Sequence, residues 1–243
     1  MSTAAIAIGL SLVGGLGGLL LASGILLIND SIRLKLIPWL VSYAVGALLG
    51  VSMLALLPAA LEDLPANRVF TILLCGILLF FVLEKLVLWR HCHVHECEVH
   101  DGSVVPVLVG DAFHNFVDGA VVAAAVMTSV PLGVSTAVAV AAHEVPQEIG
   151  DFAILLHAGY SRSRALAMNV LSAMASAVGA IAALVAFEIT PRTLPYFLAL
   201  SAASFLYVSM ADLIPGLHRG RTDASSMRQI LLIAAGVATV VFL

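Results

Sequence analysis

Apolar residues in this chain gather into long blocks that end abruptly at short polar breaks, instead of alternating with polar ones. The blocks cover residues 4–28, 37–61, 69–89, 104–128, 131–158, 164–187, 194–217 and 228–243. The breaks fall at Asn29-Asp30, Glu62-Asp63-Leu64-Pro65, the cluster at 90–101, Val130-Pro131, Gly159 to Ser163, Thr190-Pro191, and Gly216 to Arg221. A helix needs about 20 apolar residues to cross a bilayer. The pattern therefore predicts an all-α polytopic membrane protein with eight transmembrane helices, the last of them short. It forms one domain over 1–243, with a loop at 90–103 between spans 3 and 4.

Composition agrees. Hydrophobic residues make up 61% of the chain and charged residues 11%, where a soluble domain carries about 25% charged. Eleven scattered Lys and Arg residues exclude a nucleic-acid partner. No basic residue precedes the first apolar run, so that run reads as a true span, not a cleavable signal. With the N-terminus outside, the cytoplasmic side holds Arg33, Lys35, Lys85, Arg90, Arg162, Arg164, Arg219, Arg221 and Arg228. The other side holds only Arg68 and Arg192. The positive-inside rule then places both termini on the extracytoplasmic side. Three cysteines make no disulfide framework.

Two spans break the apolar rule. Span 4 carries Asp111, His114, Asn115 and Asp118, on one helical face by their spacing of three, four and seven. Span 5 carries His143, Glu144, Gln147, Glu148 and Asp151, and His157 extends that stripe. Each unpaired carboxylate at mid-bilayer costs about 2.5–3.5 kcal/mol, so the five here would cost roughly 12–18 kcal/mol. No Lys or Arg lies near the middle of either span. Protons, water or a cation must offset that cost. His, Asp and Glu at these spacings suit a divalent metal, and a set of nitrogen and oxygen donors suits Zn2+, Mn2+ or Fe2+ over Cu+. A hydrogen-bonded network sharing protons between packed helices is the plainer alternative.

Other features are local. Pro146 removes a backbone donor within span 5 and predicts a kink there. Gly119 and Gly150 flank the two stripes and suggest close helix contact. Ser52-Met-Leu-Ala-Leu-Leu-Pro58 matches Ser209-Met-Ala-Asp-Leu-Ile-Pro215 at four of seven positions. In the topology above those helices run in opposite senses, as inverted transporter repeats do. The whole therefore reads as an inverted-repeat 3+2+3 arrangement. His143-Glu144 opens like the HExxH of zinc proteases, but the second ligand position holds Gln147. An intramembrane metal-dependent hydrolase is thus the second reading, and a metal sensor without flux the third.

HNFVDG (His114 to Gly119) and HEVPQEIGD (His143 to Asp151) resemble the fourth- and fifth-helix signatures of the ZIP family of metal transporters. They are similar to its LIV-1-type branch, with patterns HNFxDG and HExPHExGD. FLYVSMADLIP (Phe205 to Pro215) resembles the seventh helix of that branch, and GALLGVSMLALLP (Gly46 to Pro58) the second. The resemblance implies metal ligands at His114, Asn115 and Asp118 on helix 4 and His143, Glu144 and Gln147 on helix 5, with Glu148 beside them. It implies a binuclear centre, a homodimer in the bilayer, and an elevator-like motion that moves metal into the cytoplasm. The cargo would be Zn2+, or alternatively Fe2+, Mn2+ or Cd2+. Two departures stand out. Gln147 replaces the usual His, and helix 2 has Ala55 and Ala59 where His and Glu are common. Asn169, Ser172 and Ser176 offer polar lining on helix 6, and Asp212 on helix 7 reads as a helix-to-helix contact.

HCHVHECEVHD supplies a dense ligand strip at His91, Cys92, His93, His95, Cys97 and His100. Placed in the cytoplasm, it would receive metal that has passed Asp111, Asp151 and His157. A short chain without a large ectodomain points to a bacterial cytoplasmic (inner) membrane.

Overall fold

The computed structural model describes residues 2–91, 104–218 and 224–243, and within them every regular element is a helix. In lipid no water satisfies backbone groups, so an apolar chain must close its hydrogen bonds within each segment. The helices group into eight rods. These are α1 (Thr3–Leu26), α2 (Asp30–Val51, continued by Ser52–Leu56 and Leu57–Asp63), α3 (Ala66–His91) and α4 (Val104–Thr128). Then come α5 (Val130–His157), α6 (Arg162–Ala173 and Ala175–Ile189), α7 (Pro191–Thr193, Leu194–Tyr207, Val208–Leu213 and Ile214–His218) and α8 (Ala224–Phe242).

The breaks are built by the residues expected to make them. Asn29, Ser129 and Ser161 each accept a backbone N–H from the first turn of the helix that follows. Pro131 stands in the first turn of α5, where its missing N–H has no helical partner anyway. Gly159, at φ +86°, ends the turn after α5.

Among the described residues, six rods are long and apolar enough to cross a membrane: α1, α2, α3, α4, α6 and α7. Two of the eight expected spans fall short of that measure. The apolar part of α8 is only Ser226–Phe242. For α5, which runs 28 residues, the polar stripe itself lowers the mean hydropathy. The expected kink at Pro146 does not interrupt α5, which stays α-helical throughout.

Polarity is inverted relative to a soluble protein. Leu20, Leu171, Ile189 and Phe242 are largely exposed, while Asp111, Asn115, Asp118, His143, Glu144 and Glu148 are buried. α1, α4, α5 and α6 pack on one another as one group. α2 packs on α8, and α3 on α7. α2 against α5 is the main seam between the groups, with a smaller contact of α4 on α7. Exchanging helices 1 with 6, 2 with 7, 3 with 8 and 4 with 5 maps α1–α5 onto α6–α4 and α2–α8 onto α7–α3. That is the pairing a 3+2+3 inverted repeat requires.

The matched heptapeptides carry the same local distortion. Both form π-helical turns, Ser52–Leu56 and Val208–Leu213. Leu57 N–H reaches Ser52 O, and Ile214 N–H reaches Ser209 O, each five residues back. Pro58 and Pro215 follow directly. A proline ring clashes with the carbonyl four residues earlier, and a widened turn moves that carbonyl aside.

α4 and α6 cross at glycines. A Cβ on Gly119 would lie 1.8 Å from Ser176 O, and one on Gly179 would lie 1.8 Å from Phe116 O. Gly150 is different: nothing lies within 4 Å of its Cβ position. The close contact expected at both flanking glycines therefore holds only at Gly119.

Candidate metal centre

The two polar stripes meet face to face. α4 brings His114 and Asp118, α5 brings His143 and Glu144, and one ligand atom from each falls into a single cluster. His143 Nε2 is 3.0 Å from Asp118 Oδ2 and 3.1 Å from His114 Nε2. His114 Nε2 is 3.6 Å from both Asp118 Oδ2 and Glu144 Oε1, and His143 Nε2 is 3.7 Å from Glu144 Oε1. Zinc bonds of about 2.0–2.1 Å give a tetrahedron with edges of about 3.3 Å. The five separations bracket that value.

Local bonding sets up the donors. His143 Nδ1 donates to Ala139 O at 3.0 Å, one turn back on its own helix. A carbonyl only accepts, so this bond places the proton on Nδ1 and leaves Nε2 with a lone pair. That lone pair faces a carboxylate oxygen and a second imidazole nitrogen, an arrangement a cation stabilises. Asp118 and Glu144 have no protein hydrogen-bond donor on either carboxylate oxygen. Both are buried, as is His143, while His114 keeps 24% of its side chain exposed. α1 seals the site from one side, since a Cβ at Gly18 would lie 2.5 Å from Glu144 Cβ.

A second cluster shares Glu144. Asp111, Glu144 and Glu148 bring carboxylate oxygens within ligand range of one another. Asp111 Oδ1 accepts from Gln147 Nε2 at 2.9 Å and from Asn115 Nδ2 at 3.1 Å. Asp111 Oδ2 and both Glu148 oxygens have no donor. Gln147 and Asn115 thus hold the Asp111 carboxylate in place through their amide nitrogens. Buried carboxylates without partners are rare in native structures, and here they gather in two adjoining clusters.

Other expected residues stand apart. Asp151 is buried but belongs to neither cluster, and His157 is exposed at the end of α5. The His91, Cys92, His93, His95, Cys97 and His100 side chains lie outside the described residues. Ala55 and Ala59 pack against the apolar core and offer no donor. On α6, Asn169 is fully buried with neither amide atom partnered, and the Ser172 hydroxyl is unpartnered one turn away. Sequence reasoning passed over Glu84, the acid in span 3 that accepts a hydrogen bond from the Tyr207 hydroxyl of α7. Its signal was an acidic residue within an apolar block, next to Lys85 near the end of the span.

Residues 90–243 match the family model described as ZIP zinc transporter. The chain belongs to the ZIP zinc transporter family. Among curated proteins, zinc transporter ZIP4 of Homo sapiens is 42% identical over 115 residues, 47% of this chain and 18% of that protein. Zinc transporter ZIP10 of Danio rerio is 38% identical over 117 residues, 48% of this chain and 14% of that protein. Zinc transporter ZIP10 of Homo sapiens is 35% identical over 147 residues, 56% of this chain and 18% of that protein. The match therefore spans less than a fifth of the length of these ZIP relatives. Family membership and the apolar helices make this an integral membrane protein of a zinc-transporter family, and they disfavour the hydrolase reading.

Proposed function

We propose that the protein carries Zn2+ into the cytoplasm through the centre formed by α4 and α5. One observation carries the reading: four donors from two helices stand at the edge lengths of a zinc tetrahedron. His114, Asp118, His143 and Glu144 are the first-site ligands. Asp111 and Glu148 join Glu144 in the adjoining site, where Gln147 and Asn115 position Asp111. The adjoining site is all oxygen and favours harder ions, so Mn2+ and Fe2+ are the secondary cargo, with Cd2+ a substitute for zinc at the imidazoles. Inward direction rests on the family resemblance, and the nine-to-two bias of basic residues sets only which side is cytoplasmic.

The sharing of Glu144 gives a physical route for movement. A cation leaving the imidazole site for the carboxylate site keeps one ligand throughout, so it is never stripped bare in the membrane. From there Asp151, then His157 and the His-rich loop, lead toward the cytoplasm. Binding at each point must be strong enough to capture and weak enough to release. We infer a homodimer from the family resemblance. The bacterial inner membrane inferred from chain length has no support among the relatives named above, which are animal proteins.

The test is radioactive zinc uptake into proteoliposomes, wild type beside His143→Ala. Inward flux that disappears in the variant supports the reading. A folded wild type without flux of zinc, iron or manganese overturns it.

A further inference from the structure

A cavity of about 370 Å³ opens at one end of the molecule, where the α1–α2 turn meets the α5–α6 turn. Its walls are mostly apolar, with Leu27, Leu156 and Leu166 among them. Two arginines also line it, Arg33 from α2 and Arg162 from α6, with Ser163 beside them. No lining residue is acidic. The cavity thus sets two arginines, of which Arg33 already holds one interaction within the protein, beside a hydrocarbon-like wall, at the end where the apolar spans give out.

We propose that this cavity binds the headgroup of an anionic phospholipid, with the phosphate between Arg33 and Arg162 and an acyl chain along Leu156 and Leu166. Guanidinium forks pair bidentately with phosphate oxygens. Basic pockets between transmembrane helices are a recurring form of lipid recognition. The apolar wall selects a lipid over free phosphate, because a soluble ion leaves that wall uncovered. Placement gives the site a consequence. Arg33 belongs to the α2 group, whereas Arg162 belongs to the α1, α4, α5 and α6 group that carries the metal ligands. A lipid held by both arginines ties the two helix groups together at this end, within two turns of Glu148 and Asp151 on α5.

The proposal does not depend on transport, and its test does not measure transport. The full chain is purified and exchanged into micelles holding equal phosphatidylglycerol and phosphatidylcholine, and retained lipid is read by native mass spectrometry. Wild type is expected to retain phosphatidylglycerol preferentially, in the presence of excess inorganic phosphate. Each arginine removed, Arg33→Ala or Arg162→Ala, is expected to lower that preference on the order of fivefold. Ser163→Asp puts a negative charge at the rim of the cavity. It is expected to abolish the preference while leaving the fold intact, since acidic residues are favourable in the first turn of a helix. Arg192→Ala, on another turn, is expected to change nothing. Equal retention of the two lipids by wild type overturns the proposal. So does an unchanged preference in folded Ser163→Asp or in the double arginine variant. Displacement of the lipid by phosphate alone would reduce the site to an anion site and overturn the lipid assignment.

Discussion

Gln147 on α5 donates its side-chain amide to Asp111 Oδ1 on α4 at 2.9 Å. The residue that departs from the family signature is thus engaged through its nitrogen, and the group it supports is a carboxylate. Neutral amides are weak ligands, but as donors they orient a carboxylate without changing its charge. Gln147→Leu is expected to weaken Mn2+ binding at the carboxylate site by about tenfold to a hundredfold, the usual effect of losing an outer partner. Zinc binding at the imidazole site should stay close to wild type. Gln147→His should shift the balance the other way and raise zinc preference over manganese. Metal titration calorimetry on the three proteins separates these outcomes.

Asp118 is the residue best placed to show that the α4 and α5 stripes act together, because it faces both imidazoles. Asp118→Asn keeps the shape and removes the charge. Zinc uptake should drop at least to about a tenth of wild type, since losing even an outer-sphere partner costs tenfold or more. The protein itself should gain stability without metal, because one unpartnered buried carboxylate has gone. Flux and thermal unfolding of metal-free protein, measured on the same preparation, check both halves.

Acid should inhibit uptake. A metal-binding imidazole offers a lone pair, and protonation removes it. Two imidazole nitrogens face the site, so protons compete with metal for them as pH falls. Uptake is expected to fall as pH is lowered from about 7.5 to 5.5. A flat profile over that range, with vesicles intact, would remove His114 and His143 from the binding step.

Glycines at the helix crossings should differ sharply in tolerance. Gly119→Ala and Gly179→Ala each push a methyl group into a backbone carbonyl of the partner helix. A forced separation of α4 from α6 should destabilise by about 1–3 kcal/mol or more. Gly150→Ala meets nothing within 4 Å and should be neutral or gain about 0.5–1 kcal/mol from helix propensity. Thermal melts of the three variants in detergent give the comparison directly.

The chain's own pattern determined the helical class, the eight rods and most of their ends. It did so because lipid leaves the backbone one economical conformation, and because Asn29, Ser129, Pro131 and Gly159 punctuate it locally. The polar stripe was visible because His, Asp and Glu on one face of an apolar helix are costly unless they are paired or meet a cation. The heptapeptide repeat announced a symmetry, though not the paired π turns at Ser52 and Ser209 that give it physical form.

Tertiary structure decided the rest. Periodicity puts Asp111, Asn115 and Gln147 on stripes, but only the crossing of α4 and α5 brings the Gln147 amide onto the Asp111 carboxylate. It separates Asp151 and His157 from both clusters, although they share the stripe. It distinguishes Gly119 from Gly150, and it brings Glu84 to Tyr207 across 123 residues. Each of these depends on which neighbour a side chain meets. That is set by helix packing between distant segments, and no local pattern encodes it.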